Sequence, residues 1–277
     1  MLIPIVPQPD GSAQPGASLA SPPARPFVRI PPPPRVPPRL AVIAECIDWI
    51  VIDKPPLLQV HPSKPSDAAT LWHLLRDLLA FEIANGGQVS IINRLDRETS
   101  GLTLIAKTKA AARHFSMLME RSGITKEYLA LVWGWPAEDL FAIDAPLLRQ
   151  GIHNPSRIYL KQCVHPAGAA ARTRFQVVQR FTRGASPFAL VRAYPQSGRM
   201  HQIRVHLSHA GHPVVGDKIY GPSEDHYLTF IATGWTAELE RSLLLPRHAL
   251  HSGVLEVPGD GLRWEAPLPA DMAGFLP

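Results

Sequence analysis

The chain has 277 residues, 45% of them hydrophobic, enough to bury the core of one large domain. Its two cysteines, Cys46 and Cys163, stand far apart, which excludes a disulfide framework and a cysteine-rich zinc site. The apolar run at residues 41–52 is short and interrupted by Glu45 and Asp48, so a membrane span is excluded there; the start, broken by Pro4 and Pro7, has no basic n-region of a secretory signal. A cytoplasmic protein is expected. The formal net charge of +5 is unevenly spread: residues 94–218 hold 18 basic and 8 acidic side chains, a net +10. That stretch is where an anionic partner is expected, and basic side chains on phosphates supply most non-specific affinity for nucleic acid. Charge alone fits a basic protein with no polyanion partner equally well.

Residues 1–38 are rich in proline, with Pro31 to Pro34 consecutive, and read as a disordered tail with polyproline character. Residues 39–277 read as the folded domain. A buried strand is predicted over 49–54, stopped by Pro55 and Pro56. Leu71, Leu74, Leu75 and Leu78 keep helical spacing, with Ser66 or Asp67 as N-cap and Gly86 near the end. A strand over 101–106 is followed by Thr108 as the N-cap of a helix that stops at Gly123. Further strands fit 127–133, 173–180 and 188–194, and a short helix fits 201–210, closed by Gly211 and Pro213. Strands outnumber helices without strict alternation, which favours an α+β fold over a doubly wound one.

The informative stretch is Asn93-Arg94-Leu95-Asp96-Arg97-Glu98-Thr99-Ser100-Gly101-Leu102. Taken alone, Asp96 between two arginines reads as a surface ion pair, which contributes little. A carboxylate close to cations also stays ionised, and an ionised carboxylate in a cleft is a usable nucleophile. Arg94-Leu95-Asp96-x-x-Thr99-Ser100-Gly101 resembles the signature loop of the RluA-type pseudouridine synthases. Other stretches follow in that family's order: Asp53-Lys54-Pro55 with His61-Pro62; Lys126-Glu127-Tyr128-Leu129-Ala130; Ser197-Gly198-Arg199-x-His201-Gln202-Ile203-Arg204; Gly216-Asp217-Lys218-Ile219-Tyr220-Gly221; and His248-Ala249-Leu250-His251. The resemblance covers roughly residues 40–275.

The resemblance implies a mostly antiparallel, bent mixed sheet with flanking helices and a central catalytic cleft, in the subgroup without an N-terminal S4 domain. It implies that uridine in ribosomal or transfer RNA is isomerised to pseudouridine after base flipping, a reaction that needs no redox cofactor, ATP or metal; nothing in the sequence demands a protein partner, and a monomer is expected. Asp96 would attack C6 of the base or C1′ of the ribose. Tyr128 would stack on the uracil and share in late proton removal. Arg204 would pair with Asp96, and Arg94 would fill the gap left by the extruded base. Arg97, Lys126, Arg199, His201, Gln202 and Lys218 would contact the RNA. Without the motifs, Tyr128 reads as a core aromatic and Arg204 as a helix-flank residue.

Two positions depart from the family's pattern. Asn93 stands where His or Tyr is usual, and Met200 where Thr is usual, which implies an altered RNA preference or rate. His201, His206, His209 and His212 cluster without an acidic or cysteine partner, so no metal site is expected. Ser100 lacks the strand–elbow–helix context of a hydrolase serine. Two rival readings remain: an RNA-binding protein without catalysis on the same scaffold, and a small-molecule hydrolase using Asp96.

Overall fold

The computed structural model describes residues 39–62 and 69–277. The proline-rich tail and the N-cap expected at Ser66 or Asp67 lie outside them. Strands β1 (Ala41–Glu45) and β2 (Trp49–Lys54) lead to helices α1 (Leu71–Leu78) and α2 (Ala80–Ala84). Next come β3 (Ser90–Ile91), β4 (Ser100–Ala106), α3 (Lys109–Glu120), β5 (Thr125–Trp133) and β6 (Leu140–Asp144). A separate two-stranded sheet pairs β7 (Leu147–Arg149) with β8 (Gln162–Val164), and α4 (Gln150–His153) lies between them in the chain. Then follow β9 (Arg172–Arg183), β10 (Ser186–Pro195), α5 (Gln202–His209), α6 (Asp225–Thr233), α7 (Ala237–Leu243), β11 (Leu250–Val257), β12 (Leu262–Glu265) and α8 (Ala270–Ala273).

The main sheet runs β1-β2-β4-β11-β5-β10-β9-β6, with β12 added to β11 and β3 to β4. Its pairings among the described residues are antiparallel except that of β4 with β11. The fold is therefore the mixed α+β arrangement with a mostly antiparallel sheet that the sequence implies.

Every residue of β4 is buried, as expected for a strand covered on both faces. On one side Leu102, Leu104 and Ala106 pack with Ala111 and Phe115 of α3. On the other, Ile105 packs with Leu71 and Leu75 of α1. Thr108 caps α3 as expected, its Oγ1 accepting from Ala111 N at 3.2 Å. A further core gathers Leu131, Phe188 and Val191 of the sheet under Ile203 and Leu207 of α5.

Gly101 stands at the parallel crossing, paired with Ser252 and held at φ +111°. A Cβ there would overlap the backbone of Ser252. This close approach brings the loop before β4 against the residues entering β11. Gly101→Ala is expected to lower stability by at least about 1–3 kcal/mol, since an L side chain at this φ is strained even without the overlap. Urea unfolding measures it, and an unchanged midpoint would show that the crossing can relax.

Candidate active site

The loop joining β3 to β4 is anchored to the sheet by buried side chains. Asn93 Nδ2 donates to Leu102 O at 2.9 Å, and its Oδ1 accepts from Leu104 N at 2.8 Å. The departure at Asn93 thus acts as a clasp on β4. Lys54, wholly buried at the end of β2, donates to the carbonyls of Pro55, Leu58 and Arg97 at 2.9, 3.0 and 3.3 Å. Burial, reinforced by nearby Arg247, pulls its pKa down to about 7. A turn between them, with Thr99 N donating to Asp96 O at 3.1 Å, presents Asp96 to the cleft.

Arg204 approaches Asp96 from α5. Its Nη1 donates to Asp96 Oδ2 at 2.8 Å, while Nε and Nη2 grip Asp217 Oδ2 and Oδ1 at 2.6 and 2.9 Å. Asp217 is fully buried, and its Oδ1 also accepts from the N–H groups of Ile219 and Tyr220 at 3.0 Å each. One carboxylate therefore orients the guanidinium from behind by a bidentate pair, and the guanidinium orients Asp96 in front. Burial acts to raise the Asp96 pKa; its proximity to His201, to the Arg204 guanidinium and to His248 outweighs that and holds the group below the usual carboxylate range. Asp96 is thus ionised at neutral pH. Its Oδ1 has no hydrogen-bond partner among the described residues.

A second ionic layer lies alongside. Glu98 Oε1 accepts from Lys218 Nζ at 2.8 Å, and its Oε2 accepts from His248 N at 3.0 Å. Thr99 Oγ1 lies 2.7 Å from His248 Nε2. Burial would raise the Glu98 pKa, but its bonds to His248 and Lys218 prevail and pull it down to about 2. A carboxyl with a depressed folded-state pKa stabilises the fold above the ordinary value it has in the unfolded chain, about 4.5 for glutamate, and that contribution is lost as pH falls toward 2. Glu98→Gln is therefore expected to destabilise the protein at pH 7 by up to about 3 kcal/mol and by progressively less near pH 3. Urea titrations at the two pH values test this; equal losses would contradict it.

Asp96 opens on a cleft of about 610 Å³. A corner of it is shared by Asp96, Tyr128, Arg204, Arg94, Lys126 and Arg199. Tyr128 projects from β5 with 8% of its surface exposed. Burial, aided by the Asp96 charge, pushes its phenol up to about 12, so it keeps its proton at neutral pH. Arg94, Arg97 and Arg199 are exposed, and Lys126 is half-buried. His201 sits beside the acid, its Nε2 3.9 Å from Asp96 Oδ2.

Gln202 and Lys218, expected from the resemblance to contact RNA, bond within the protein. Gln202 Oε1 accepts from Ser197 Oγ and Arg199 N, and its Nε2 donates to Arg172 O and Thr173 Oγ1. That fills the usual capacity of an amide side chain and shapes the turn before α5. Lys218 Nζ is tied to Glu98 and Pro246 O. Met200 is half exposed at the cleft rim. His206 Nδ1 and Nε2 pair with Thr173 Oγ1 and Ala145 O, and His212 Nδ1 with Trp133 O. No group of three or more potential metal ligands converges among the described residues, and none of their helices is long and apolar enough to cross a membrane.

The roles of Asp217, Glu98 and His248 were not visible from the sequence. An acidic residue inside Gly216-Asp217-Lys218 has the look of a turn residue in water. The signal that it is buried lies in its neighbours, Val214, Val215, Ile219 and Tyr220, which are all apolar or aromatic.

The sequence profile of the RNA pseudouridylate synthase family matches residues 48–209. The chain is 36% identical over 245 residues to a ribosomal large subunit pseudouridine synthase D from Nitrosomonas europaea, covering 86% of this chain and 64% of the relative. It is 34% identical over 241 residues to the protein of the same name from Pseudomonas aeruginosa, covering 86% of this chain and 71% of that one. Among solved structures, human RNA pseudouridylate synthase domain containing 1 superposes with a TM-score of 0.60 at 26% identity, over 83% of each chain. The human domain containing 4 superposes at 0.65 and 23% identity, over 84% of this chain and 90% of that one, and shares the fold. The chain belongs to the RNA pseudouridylate synthase family. The RluA-type resemblance drawn from its motifs is borne out.

Proposed function

We propose that the protein isomerises uridine to pseudouridine in RNA, with Asp96 as nucleophile. The observation that carries this reading is the ionised Asp96, held at Oδ2 by Arg204 and facing the Tyr128 corner with Oδ1 unengaged. The N1–C1′ bond of uridine breaks, a C5–C1′ bond forms, the C5 proton leaves and N1 regains a proton, so atoms and charge balance within one nucleotide. The reading assigns attack to Oδ1, at C6 of the base or C1′ of the ribose. Tyr128 stacks on the uracil. Bond formation by Asp96 removes its charge, one of the influences that keep the phenol protonated, which prepares Tyr128 for the late proton transfer.

The target base is hidden in a helical stem, so it must be turned out, at a cost of a few kcal/mol. Arg94, exposed at the mouth of the corner, fills the vacated stack. Arg97, Arg199 and Lys126 meet the phosphates. The substrate class is a structured stem-loop, with ribosomal RNA first because the relatives bear that name and transfer RNA as the second candidate. One chain carries every group named.

RNA carrying tritium at uracil C5 tests the reaction, because isomerisation releases that hydrogen to water. Release by the wild-type protein is the expected result. Salt-dependent binding without release on any RNA would favour a non-catalytic RNA-binding protein. Neither release nor salt-dependent affinity would favour a different enzyme.

A further inference from the structure

His201 is held in an unusual way. It is the residue before α5 and adopts a left-handed backbone, φ +58° and ψ +16°. That conformation is uncommon for a side chain with a Cβ and persists where surroundings enforce it, often at functional sites. Its ring is 9% exposed. Nδ1 lies 2.8 Å from the Tyr220 hydroxyl, and Nε2 points toward Asp96 Oδ2.

The Tyr220 hydroxyl determines which nitrogen carries the proton. It accepts from Gln162 N at 2.8 Å. The phenol is buried and has one proton to donate, and Nδ1 is the acceptor within its reach among the described residues. Tyr220 O–H therefore donates to Nδ1, which leaves the N–H of His201 on Nε2, facing the acid. Burial, and then the adjacent Arg204 charge, pull the His201 pKa down to about 4, so the ring is neutral at physiological pH. Tyr220 is itself anchored: its ring lies 5.0 Å from the Arg204 guanidinium carbon, and its backbone N–H donates to Asp217.

We propose that His201 is a positioning residue for the nucleophile rather than an RNA contact: Tyr220 fixes its tautomer, and its Nε2–H, 3.9 Å from Asp96 Oδ2 and so beyond direct hydrogen-bond distance, holds that oxygen electrostatically within the cleft. Arg204 and His201 then address the same oxygen and leave Oδ1 directed at the nucleotide. This inference rests on Asp96 being the nucleophile.

The test is a single-turnover series at saturating RNA, with RNA affinity measured in parallel. His201→Leu is expected to slow the saturated rate by about tenfold or more, since small misplacement of a reacting group is costly, while its RNA Kd stays within about twofold. His201→Gln, which can return an N–H toward Asp96, is expected to recover most of the rate. Tyr220→Phe, which keeps the ring over Arg204 and removes the tautomer lock, is expected to fall between them. A full saturated rate with weakened RNA binding in His201→Leu would overturn the proposal and make His201 an RNA contact. Equal losses in the Leu and Gln variants, or no loss in Tyr220→Phe, would overturn it as well. If His201→Leu fails to fold, the Gln and Phe variants decide. Asp96→Asn run alongside separates the two levels: an active Asp96→Asn removes the nucleophile reading and this inference together. An inactive Asp96→Asn beside a fully active His201→Leu removes this inference alone.

Discussion

Asp96→Asn is expected to reduce pseudouridine formation by at least about 10⁴-fold, the scale of losing a nucleophile, while leaving RNA affinity within a few-fold. The amide matches the carboxylate in size, so the cleft keeps its shape. It has no negative oxygen with which to form the covalent bond, and its Oδ1 can still accept from Arg204 once the amide is turned to place that oxygen where Oδ2 of the acid stood. Affinity is expected to survive because the proposed phosphate contacts are Arg97, Arg199 and Lys126, and Asp96 is not among them. Tritium release and filter binding on the same preparation check both halves. A variant that loses binding as well would show that Asp96 holds the loop, and a variant that keeps the rate would remove the nucleophile assignment.

The second large effect is expected at Arg204. Arg204→Met removes what is, among the described residues, the one side-chain counter-charge hydrogen-bonded to Asp217, whose carboxylate is fully buried and otherwise supported by two backbone N–H groups. Breaking a buried pair from one side typically costs about 3–5 kcal/mol, because the abandoned charge remains in a poor solvent. The same change frees Asp96 Oδ2, so any protein that folds is expected to lose most of its activity. Arg204→Lys keeps a charge but cannot supply three N–H groups in one plane, and is expected to lie between. Removing both partners in Arg204→Met with Asp217→Leu is expected to regain part of the lost stability without regaining activity. Urea unfolding of the wild type, Arg204→Met, Asp217→Leu and the double variant closes the cycle. A loss below about 1 kcal/mol for Arg204→Met would place it in the range of a surface pair and contradict the burial argument.

How much of this was legible in the sequence depends on distance along the chain. The run at 101–106 read as a strand, and it is β4, one residue longer at its start. Thr108 read as a cap because cap, helix and stop are local. The helix predicted over 201–210 is Gln202–His209, but its amphipathic reading was incomplete. Every residue from Gln202 to Leu207 is buried, because α5 runs inside the cleft wall, where Gln202 and Arg204 are as enclosed as Ile203. That is why Arg204 could pass for a flank residue on periodicity alone. α6 was not read from the sequence at all, although Tyr227, Leu228, Phe230 and Ile231 keep helical spacing; none of its residues is fully buried. The parallel crossing of β4 and β11 brings Thr99 within 2.7 Å of His248, 149 positions away, and nothing local to either segment encodes that meeting. The candidate acid and its loop were readable because their residue types follow one another in the chain. The ionic support behind them, from Asp217, Glu98 and His248, was not, because it is assembled from separate segments.

The most direct test of the central claim is to incubate total ribosomal and total transfer RNA with the wild-type protein and with Asp96→Asn, then map pseudouridine by derivatisation and primer extension. The account predicts new pseudouridine at a defined stem-loop position with the wild type, ribosomal RNA being the first expectation, and none with Asp96→Asn. The same product from both proteins, or no product from either with RNA binding intact, would contradict it.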